Sequence, residues 1–372
     1  MAERITRVRV KNFLSLRDVE VELEKLSVLV GPNASGKSNF VKALRLISEH
    51  ARGTTTVLSE FREFRDMAHG FDPTARIEIG VEALVNDRSV EYRLLLDSLR
   101  YVEEVLLDGE KILHHPGDSR AYALMGKSYL VARFERGAYF GRDYYETALS
   151  ALPSEAPAEL FRLANILKRV SAHSLAPERI RLRASVTAPP ELGYYGDNLA
   201  RFLLHLYLED RGAFQLVENA LRSLVPEVRE VIPHIEDAYV EVWLRAEGLR
   251  EPLKPPNISD GTLRMLAMAA LLYSGKSLVI LEEPENYVHP HLLEALVDMA
   301  RRSPSQVILV THSPHLLDHV EPEEVYVVEK PGRETVVKKL SNSREMKAVK
   351  KFLQEGGTLG EAWYSGAMGG VP

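Results

Sequence analysis

The segment GPNASGKS, Gly31 to Ser38, fits the pattern G-x-x-x-x-G-K-[ST], a glycine-rich loop whose backbone N–H groups surround phosphate. Gly31 and Gly36 let the chain fold closely around phosphate oxygens, with the N–H groups of residues 34–38 pointing inward. We expect Lys37 to reach the β- and γ-phosphates and the Ser38 hydroxyl to bind Mg²⁺. The candidate nucleotide-binding residues here are Gly31, Asn33, Ala34, Ser35, Gly36, Lys37, Ser38 and Asn39. A chance turn is the alternative, but strand-like and helix-like segments flank the loop.

Two carboxylates follow an apolar run in the segment SLVILEEPEN, residues 277–286. Ligands of open α/β sheets bind at the carboxyl ends of the strands, where Glu282 and Glu283 are expected to lie. We assign Glu282 to Mg²⁺, through a water molecule, and Glu283 to orienting or deprotonating an attacking water. The alternative is a charged strand end that faces solvent.

A second apolar run, in the segment VILVTHSPH (residues 307–315), ends in Thr311 and His312. An imidazole at this position is suited to hydrogen-bond a γ-phosphate and to sense its loss. A buried structural histidine is one alternative. A metal site is another, built from side chains that are close in the sequence: His312, His315, Asp318 and His319.

The segment PNISDGTLRML, residues 256–266, places a small polar turn at the start of a helix. Free backbone N–H groups at the positive end of a helix bind anions, so Ser259 and Gly261 are candidate anion-binding residues. Arg264, one turn further on, either strengthens this positive end or lies on a solvated helix face.

The composition limits the class of protein. The chain has 372 residues, of which 45% are hydrophobic and 27% charged, as in ordinary globular proteins. The lack of cysteine excludes disulfides, thiolate metal sites and thiol nucleophiles, and it suits a cytoplasmic protein. The net charge of −6 argues against a uniformly basic nucleic-acid-binding surface. No apolar run reaches 18 residues, so we expect no membrane span.

Hydrophobic periodicity predicts the elements that carry these motifs. In the C-terminal part, strands 277–281, 306–310 and 324–329 alternate with helices 260–274, 290–302 and 314–319, which favours a parallel sheet. The N-terminal part shows a buried strand before the glycine-rich loop, a helix to residue 50, and an antiparallel meander over residues 76–107. Residues 116–226 are predicted to be mostly helical. The predicted domains are 1–115, 116–234 and 235–372, the middle one an inserted helical lobe.

The order of these motifs resembles the ATP-binding-cassette (ABC) ATPase head, and in particular its RecF-like and OLD-like branch, which is related to the heads of structural-maintenance-of-chromosomes (SMC) proteins. The resemblance is carried by NFLSLRDVEV, VLVGPNASGKSN, SDGTLRML, LEEPENYVHP and THSPHLLD, within about residues 1–110 and 235–372. It implies an α/β P-loop NTPase with a mixed β-sheet core, an antiparallel β subdomain and the inserted helical lobe.

The resemblance also implies a dimer held together by ATP. In this family the serine–glycine turn binds the γ-phosphate held by the opposite subunit, so Ser259 and Gly261 are expected to complete the partner's site. Cofactors would be ATP and Mg²⁺, and the catalytic residues Glu283, Lys37 and His312. In this family the acidic residue that binds the metal is more often aspartate. Which of Glu282 and Glu283 binds Mg²⁺ and which activates the water is therefore left open. The chain also lacks the family's glutamine after the P-loop helix, which His69 is a weak candidate to replace.

Three functions compete. The first is an ATPase switch in DNA repair or phage defence, acting with DNA or with a separately encoded nuclease or effector. The second is the nucleotide-binding half of a membrane transporter, against which the missing glutamine argues. The third is a nucleotide-dependent scaffold with little hydrolysis. Basic side chains of the middle segment either bind nucleic-acid phosphates or form a solvated face: Lys168, Arg169, Arg179, Arg181 and Arg183.

Overall fold

The structure is a computed structural model that describes residues 3–54, 56–116, 121–130, 133–139, 142–145 and 147–369. The strands are β1 (Arg4–Phe13), β2 (Leu16–Glu22), β3 (Leu26–Val30), β4 (Ile77–Val85), β5 (Arg88–Leu96), β6 (Tyr101–Leu107), β7 (Glu110–His115), β8 (Ala121–Leu124), β9 (Lys127–Leu130), β10 (Arg133–Tyr139), β11 (Arg142–Tyr145), β12 (Val170–His173), β13 (Ala184–Ser185), β14 (Val228–Glu236), β15 (Tyr239–Ala246), β16 (Leu278–Glu282), β17 (Gln306–Thr311), β18 (Val325–Glu329) and β19 (Val336–Lys339).

The α-helices are α1 (Lys37–Arg52), α2 (Phe64–Met67), α3 (Ala158–Lys168), α4 (Pro177–Ile180), α5 (Leu199–Glu209), α6 (Arg211–Leu224), α7 (Asp260–Tyr273), α8 (Leu293–Arg302), α9 (Pro314–Leu317), α10 (Met346–Gln354) and α11 (Leu359–Tyr364). Short 3₁₀ turns lie at Leu58–Glu60, His69–Phe71, Pro255–Asn257, Pro290–Leu292, Pro322–Glu324 and Leu340–Asn342. None of the described helices is both long and apolar enough to cross a membrane.

The main sheet has six strands in the order β12-β16-β17-β3-β18-β19. Its pairs are parallel except the last, β18 with β19. Every residue of β3, β16 and β17 is buried, because both faces of the sheet are covered. The side chains of β3 alternate between two cores: Leu29 packs with α1 and the antiparallel sheet, whereas Val28 and Val30 pack with α5, α6, α7 and α8.

An eight-stranded antiparallel sheet, in the order β2-β1-β4-β5-β6-β7-β8-β9, covers one face of α1. Two smaller sheets pair β10 with β11 and join β13, β15 and β14. The parallel strands bring the ends of β3, β16 and β17 to one edge, which is where the predicted motifs follow each strand. This arrangement confirms the predicted α/β fold with a mixed sheet and an antiparallel subdomain.

The prediction of a mostly helical segment over residues 116–226 is wrong in its first part. Strands β8, β9, β10 and β11 lie between residues 121 and 145, and the helices begin only at Ala158. Within the same segment, Val170–His173 joins the main sheet beside β16 instead of an inserted lobe. Strands β8, β9, β11 and β12 have only four residues each, which is too little alternation to be recognised, so pairing with other strands decides them. The three domain boundaries themselves stay a prediction.

Candidate nucleotide-binding and hydrolysis site

The glycine-rich loop connects the end of β3 to the start of α1. Gly36 adopts φ 104° and ψ 10°, in the left-handed region that favours glycine. A Cβ atom at Gly36 would lie 2.0 Å from Thr335 Oγ1, and one at Gly31 would lie 2.2 Å from the carbonyl oxygen of Val328. Both positions therefore require glycine, which agrees with the role that the sequence pattern gives them.

Lys37 lies folded back over this loop. Its ammonium group donates hydrogen bonds to the carbonyl oxygens of Gly31, at 2.6 Å, and Pro32, at 3.0 Å. Burial lowers the pKa of Lys37, and the carboxylates of Glu283 and Glu285 oppose this effect. A donor held by neutral carbonyls can exchange them for phosphate oxygens, since a charged acceptor makes the stronger hydrogen bond.

Hydroxyl groups that the sequence analysis missed support the loop from outside. Asn39 Nδ2 donates to Ser15 Oγ at 2.7 Å, and Ser15 Oγ lies 2.7 Å from Thr335 Oγ1. Thr335 Oγ1 in turn donates to the carbonyl oxygen of Ser35 at 2.8 Å. The Asn39 side-chain amide, which was predicted to bind nucleotide, thus donates to one of these supporting hydroxyl groups, that of Ser15. Ser15 and Thr335 are 320 residues apart, and no local pattern connects them.

The two residues assigned to Mg²⁺ lie together. Ser38 Oγ donates a hydrogen bond to Glu282 Oε2 at 2.8 Å, and Glu282 is buried at the end of β16. A hydroxyl and a carboxylate are the hard oxygen ligands that Mg²⁺ accepts beside substrate phosphates, so the donor set fits this ion. The other carboxylate oxygen of Glu282 accepts a hydrogen bond from the Tyr194 hydroxyl. Tyr194 was not identified from the sequence, because it lies 88 residues earlier in an irregular segment.

Glu283 directly follows β16 and has a positive φ of 47°. Its N–H donates to the carbonyl oxygen of Val310 at 2.8 Å, and its own carbonyl accepts from Arg264 Nη2 at 2.8 Å. Burial, together with the nearby carboxylate of Glu285, raises the pKa of Glu283 to about 8, against the opposing charge of Lys37. At pH 7 a glutamate with this pKa is mostly protonated, and its ionised fraction is a stronger base than the carboxylate of an ordinary glutamate.

His312 lies beside this glutamate. Its Nδ1 contacts Glu283 Oε2 and lies 3.9 Å from Glu285 Oε1. Thr311 Oγ1 donates to the same Glu285 oxygen at 2.5 Å. The structure therefore brings together Glu283 and His312, which were predicted separately, and adds Glu285.

The metal alternative built on His315, Asp318 and His319 does not form. Asp318 accepts the backbone N–H of Gly360 at 2.9 Å instead. Among the described residues, the group whose ligand atoms approach within 4.8 Å is Glu283, Glu285 and His312.

The serine–glycine turn opens α7. Ser259 is the N-cap, and its hydroxyl accepts the N–H of Thr262 at 3.1 Å. Gly261 approaches the chain closely, since a Cβ there would lie 2.9 Å from the carbonyl oxygen of Tyr287. Within the described chain, no hydrogen bond or ion pair connects this turn to the P-loop. Its expected contact with a partner's γ-phosphate stays a prediction.

Two arginines support the turn. Arg181 pairs with Asp260 at 2.5 Å, so this member of the basic series is engaged with the turn and is not on a free face. Arg264 is only 2% exposed, and it donates to the carbonyl oxygens of Leu175 and Glu283. The solvated alternative for Arg264 is therefore wrong.

The P-loop follows β3, and the carboxylate pair follows β16, which lies two strands away in the same sheet. Together with the serine–glycine turn before α7, these groups define an ABC-type ATPase head. Comparisons with known proteins agree with this class. The chain belongs to the family described as "AAA domain, putative AbiEii toxin, Type IV TA system", which matches residues 26–318. The chain is a head of the RecF-like, OLD-like and SMC-like branch, as the sequence predicted.

One relative is an OLD nuclease of Thermus scotoductus, 25% identical over 369 residues. The match covers 90% of this chain but only 63% of that protein. Two solved structures share the fold. An Smc head bound to the C-terminal winged-helix domain of ScpA has a TM-score of 0.57 at 14% identity, covering 92% of this chain and 99% of that one. An Smc head with an extended coiled coil, bound to the C-terminal domain of ScpA derived from Pyrococcus furiosus, has a TM-score of 0.55 at 13% identity, covering 95% and 99%.

Proposed function

We propose that this chain binds Mg-ATP and hydrolyses it to ADP and phosphate. The observation that carries the proposal is the meeting of Ser38 and Glu282 at 2.8 Å, beside Glu283 and Lys37, at the carboxyl edge of the parallel sheet. These groups were predicted from segments about 245 residues apart for complementary roles in one reaction.

Each side chain has a role in the proposed reaction. The P-loop N–H groups and Lys37 hold and neutralise the phosphates, and Ser38 and Glu282 would hold the metal ion. Bound Mg²⁺ would supply charge stabilisation at the phosphate oxygens. Glu283 orients the attacking water and accepts its proton, while His312 holds the Glu283 carboxylate and faces the γ-phosphate. Positioning and electrostatics account for most of the catalysis, because phosphoryl transfer needs little covalent help.

We infer further that two chains enclose ATP between them. The serine–glycine turn of Ser259 and Gly261 makes no contact with the P-loop of its own chain among the described residues, although it presents the N-terminus of a 14-residue helix. A turn of this kind binds an anion, so a partner's γ-phosphate would complete the site. Such a homodimer fits action with DNA or with a separate effector, in DNA repair or phage defence. It also fits a cytoplasmic location. The proposals about partner, pathway and location rest on the resemblance to relatives.

Light scattering on Glu283→Gln tests both parts. Glutamine keeps the size of the side chain but cannot accept the proton, so hydrolysis should stop and the closed dimer should accumulate. We expect Mg-ATP to double the mass of Glu283→Gln, and Ser259→Arg in the same background to abolish the doubling. ATP hydrolysis by wild type, measured as phosphate release, should be lost in Glu283→Gln.

A wild-type protein that binds no ATP would overturn the proposal. If ATP binds but the mass never changes, the role of Ser259 is wrong while the nucleotide site stands. A scaffold with little hydrolysis is the second candidate, since Lys37 is engaged with loop carbonyls in the single chain. Tight ATP-induced dimers with wild-type turnover no faster than that of Glu283→Gln would favour it.

A further inference from the structure

A cavity of about 230 Å³ lies beside the nucleotide site, at the outer edge of the main sheet. It is bounded by α1, by β12, which is the edge strand of the sheet, and by residues 191–194. None of the P-loop residues 31–38 lines it. Tyr194 lines the cavity and donates a hydrogen bond to Glu282, so the cavity adjoins the proposed metal-binding carboxylate.

The cavity has more cations than carboxylates in its wall. Arg45, Arg52 and Lys276 face Glu49 and Glu191. Both arginines have acidic neighbours: Arg45 Nη2 is 3.9 Å from Glu49, and Arg52 Nη1 is 3.9 Å from Glu191. Lys276 forms no ion pair within 4 Å with any carboxylate of the described chain, and burial lowers its pKa. Glu191 attracts this ammonium group from beyond ion-pair distance, while Arg52 and Arg169 repel it. A partly buried ammonium group without a directly paired carboxylate is costly, so this position favours a bound anion.

A second buried polar group, without a hydrogen-bond partner among the described residues, lies on β12. His173 is only 4% exposed, and its Nδ1 is 3.0 Å from the carbonyl oxygen of Gly193. Because a carbonyl can only accept, Nδ1 carries the ring proton. Burial lowers the pKa of His173 to about 4, so the ring is neutral at pH 7 and Nε2 is an acceptor. Neither His173 Nε2 nor Ser171 Oγ, two residues earlier on the strand, has a hydrogen-bond partner among the described residues.

These groups together indicate the chemical class of the ligand. We propose that the cavity binds a small phosphate monoester that also carries hydroxyl groups, with its phosphate at Lys276 and a hydroxyl donating to His173 Nε2. The volume of about 230 Å³ is below the roughly 300–1,000 Å³ of sites for drug-sized ligands, so the ligand is smaller than a nucleotide. This site is separate from the proposed ATP site, and its occupancy does not depend on hydrolysis.

Titration calorimetry of the whole chain with ribose 5-phosphate tests the proposal. We expect saturable binding at one site per chain. Lys276→Met should weaken it about tenfold or more, because it removes a charged hydrogen-bond donor. Ser171→Ala and His173→Phe should also weaken it, and the serine variant covers the case in which the histidine variant misfolds. Lys350→Met is the matched control, since Lys350 is exposed on α10 away from the cavity, and it should bind as wild type does.

Lys37→Ala separates this cavity from the P-loop, and ribose 5-phosphate binding should survive it. Loss of binding in Lys37→Ala, with retention in Lys276→Met, would place the ligand in the P-loop and overturn the proposal. So would the lack of binding by both ribose 5-phosphate and glycerol 3-phosphate at millimolar concentration. Inorganic phosphate binding as tightly as ribose 5-phosphate would contradict the role given to His173.

Discussion

Arg264 Nη2 donates a hydrogen bond of 2.8 Å to the carbonyl oxygen of Glu283, and this contact connects the helix of the serine–glycine turn to the proposed catalytic glutamate. Glu283 has a positive φ, which a non-glycine residue adopts only when its surroundings hold it there. The other Arg264 amino group donates to the carbonyl oxygen of Leu175. Arg264 is thus a positioning residue that fixes the backbone from which Glu283 projects.

Arg264→Met is expected to lower both stability and hydrolysis. It leaves two carbonyl groups without their donor, at a cost of about 1–3 kcal/mol for each buried group. ATP affinity should change little, because Arg264 makes no contact with the P-loop among the described residues. The measurements are the free energy of unfolding, kcat for ATP hydrolysis and ATP affinity.

Arg302→Met is the matched control, because the Arg302 side chain is 79% exposed and its ion pair within the described chain is a surface pair with Asp298. Its stability and kcat should match wild type. A fall in ATP affinity as large as the fall in kcat for Arg264→Met would contradict a positioning role. Arg264→Lys, which retains a donor, should recover part of kcat.

The pH dependence of stability should differ between wild type and Glu283→Gln. The pKa of Glu283 is raised to about 8 in the folded chain, so the folded state favours the protonated carboxyl. Its stabilising contribution is complete below the ordinary glutamate pKa of about 4.3 and is lost as pH rises through about 8. Glu283→Gln cannot ionise, so its stability relative to wild type should rise with pH between pH 5 and pH 8.5. A shift of this size corresponds to about 4 kcal/mol. Glu283 is partly exposed, so solvent screening should reduce the rise to on the order of 2 kcal/mol.

Denaturant unfolding of both proteins at several pH values checks this expectation. Glu361→Gln is a surface control: Glu361 is an exposed glutamate, which accepts the N–H of Thr358 at the start of α11. Its stability difference from wild type should not rise across the same interval. A flat difference for Glu283→Gln would show that burial does not hold this carboxyl protonated.

Tyr194→Phe should weaken the response to Mg²⁺ while leaving the fold intact. The Tyr194 hydroxyl holds one oxygen of Glu282 while Ser38 holds the other. Removing an outer partner of a ligating carboxylate typically costs about 10–100-fold in metal affinity. We therefore expect the Mg²⁺ concentration for half-maximal ATP hydrolysis to rise about tenfold, with a smaller change in kcat at saturating Mg²⁺.

Tyr195→Phe is the control for this variant, because Tyr195 is 52% exposed and packs edge-on against Tyr194 without contacting Glu282. Its Mg²⁺ dependence should match wild type. An unchanged Mg²⁺ dependence in Tyr194→Phe would mean that Ser38 alone orients Glu282.

The sequence was enough to predict the groups that follow each parallel strand, because a continuous apolar run before a polar motif fixes both the strand and its end. It was not enough for Ser15, Tyr194 and Thr335. Ser15 lies in the turn between β1 and β2, Tyr194 in an irregular segment and Thr335 just before β19. Only tertiary packing brings these side chains to the loop or to Glu282. Arg264 was ambiguous for a related reason: periodicity on one short helix does not reveal which neighbour covers it.

Gly36→Ala should abolish nucleotide binding. The added Cβ would lie 2.0 Å from Thr335 Oγ1 and 2.8 Å from Ser15 Oγ, and the backbone has φ 104°. The loop must shift to relieve this overlap, which misplaces the N–H groups expected to surround phosphate. Gly248→Ala is the matched control, since Gly248 also has a positive φ, of 77°, but no atom of the described residues lies within 4 Å of its added Cβ. Both variants should lose some stability from the backbone strain, by about 1 kcal/mol or more. Only Gly36→Ala should lose ATP binding in calorimetry, and normal binding by this variant would contradict the role of the loop in holding phosphate.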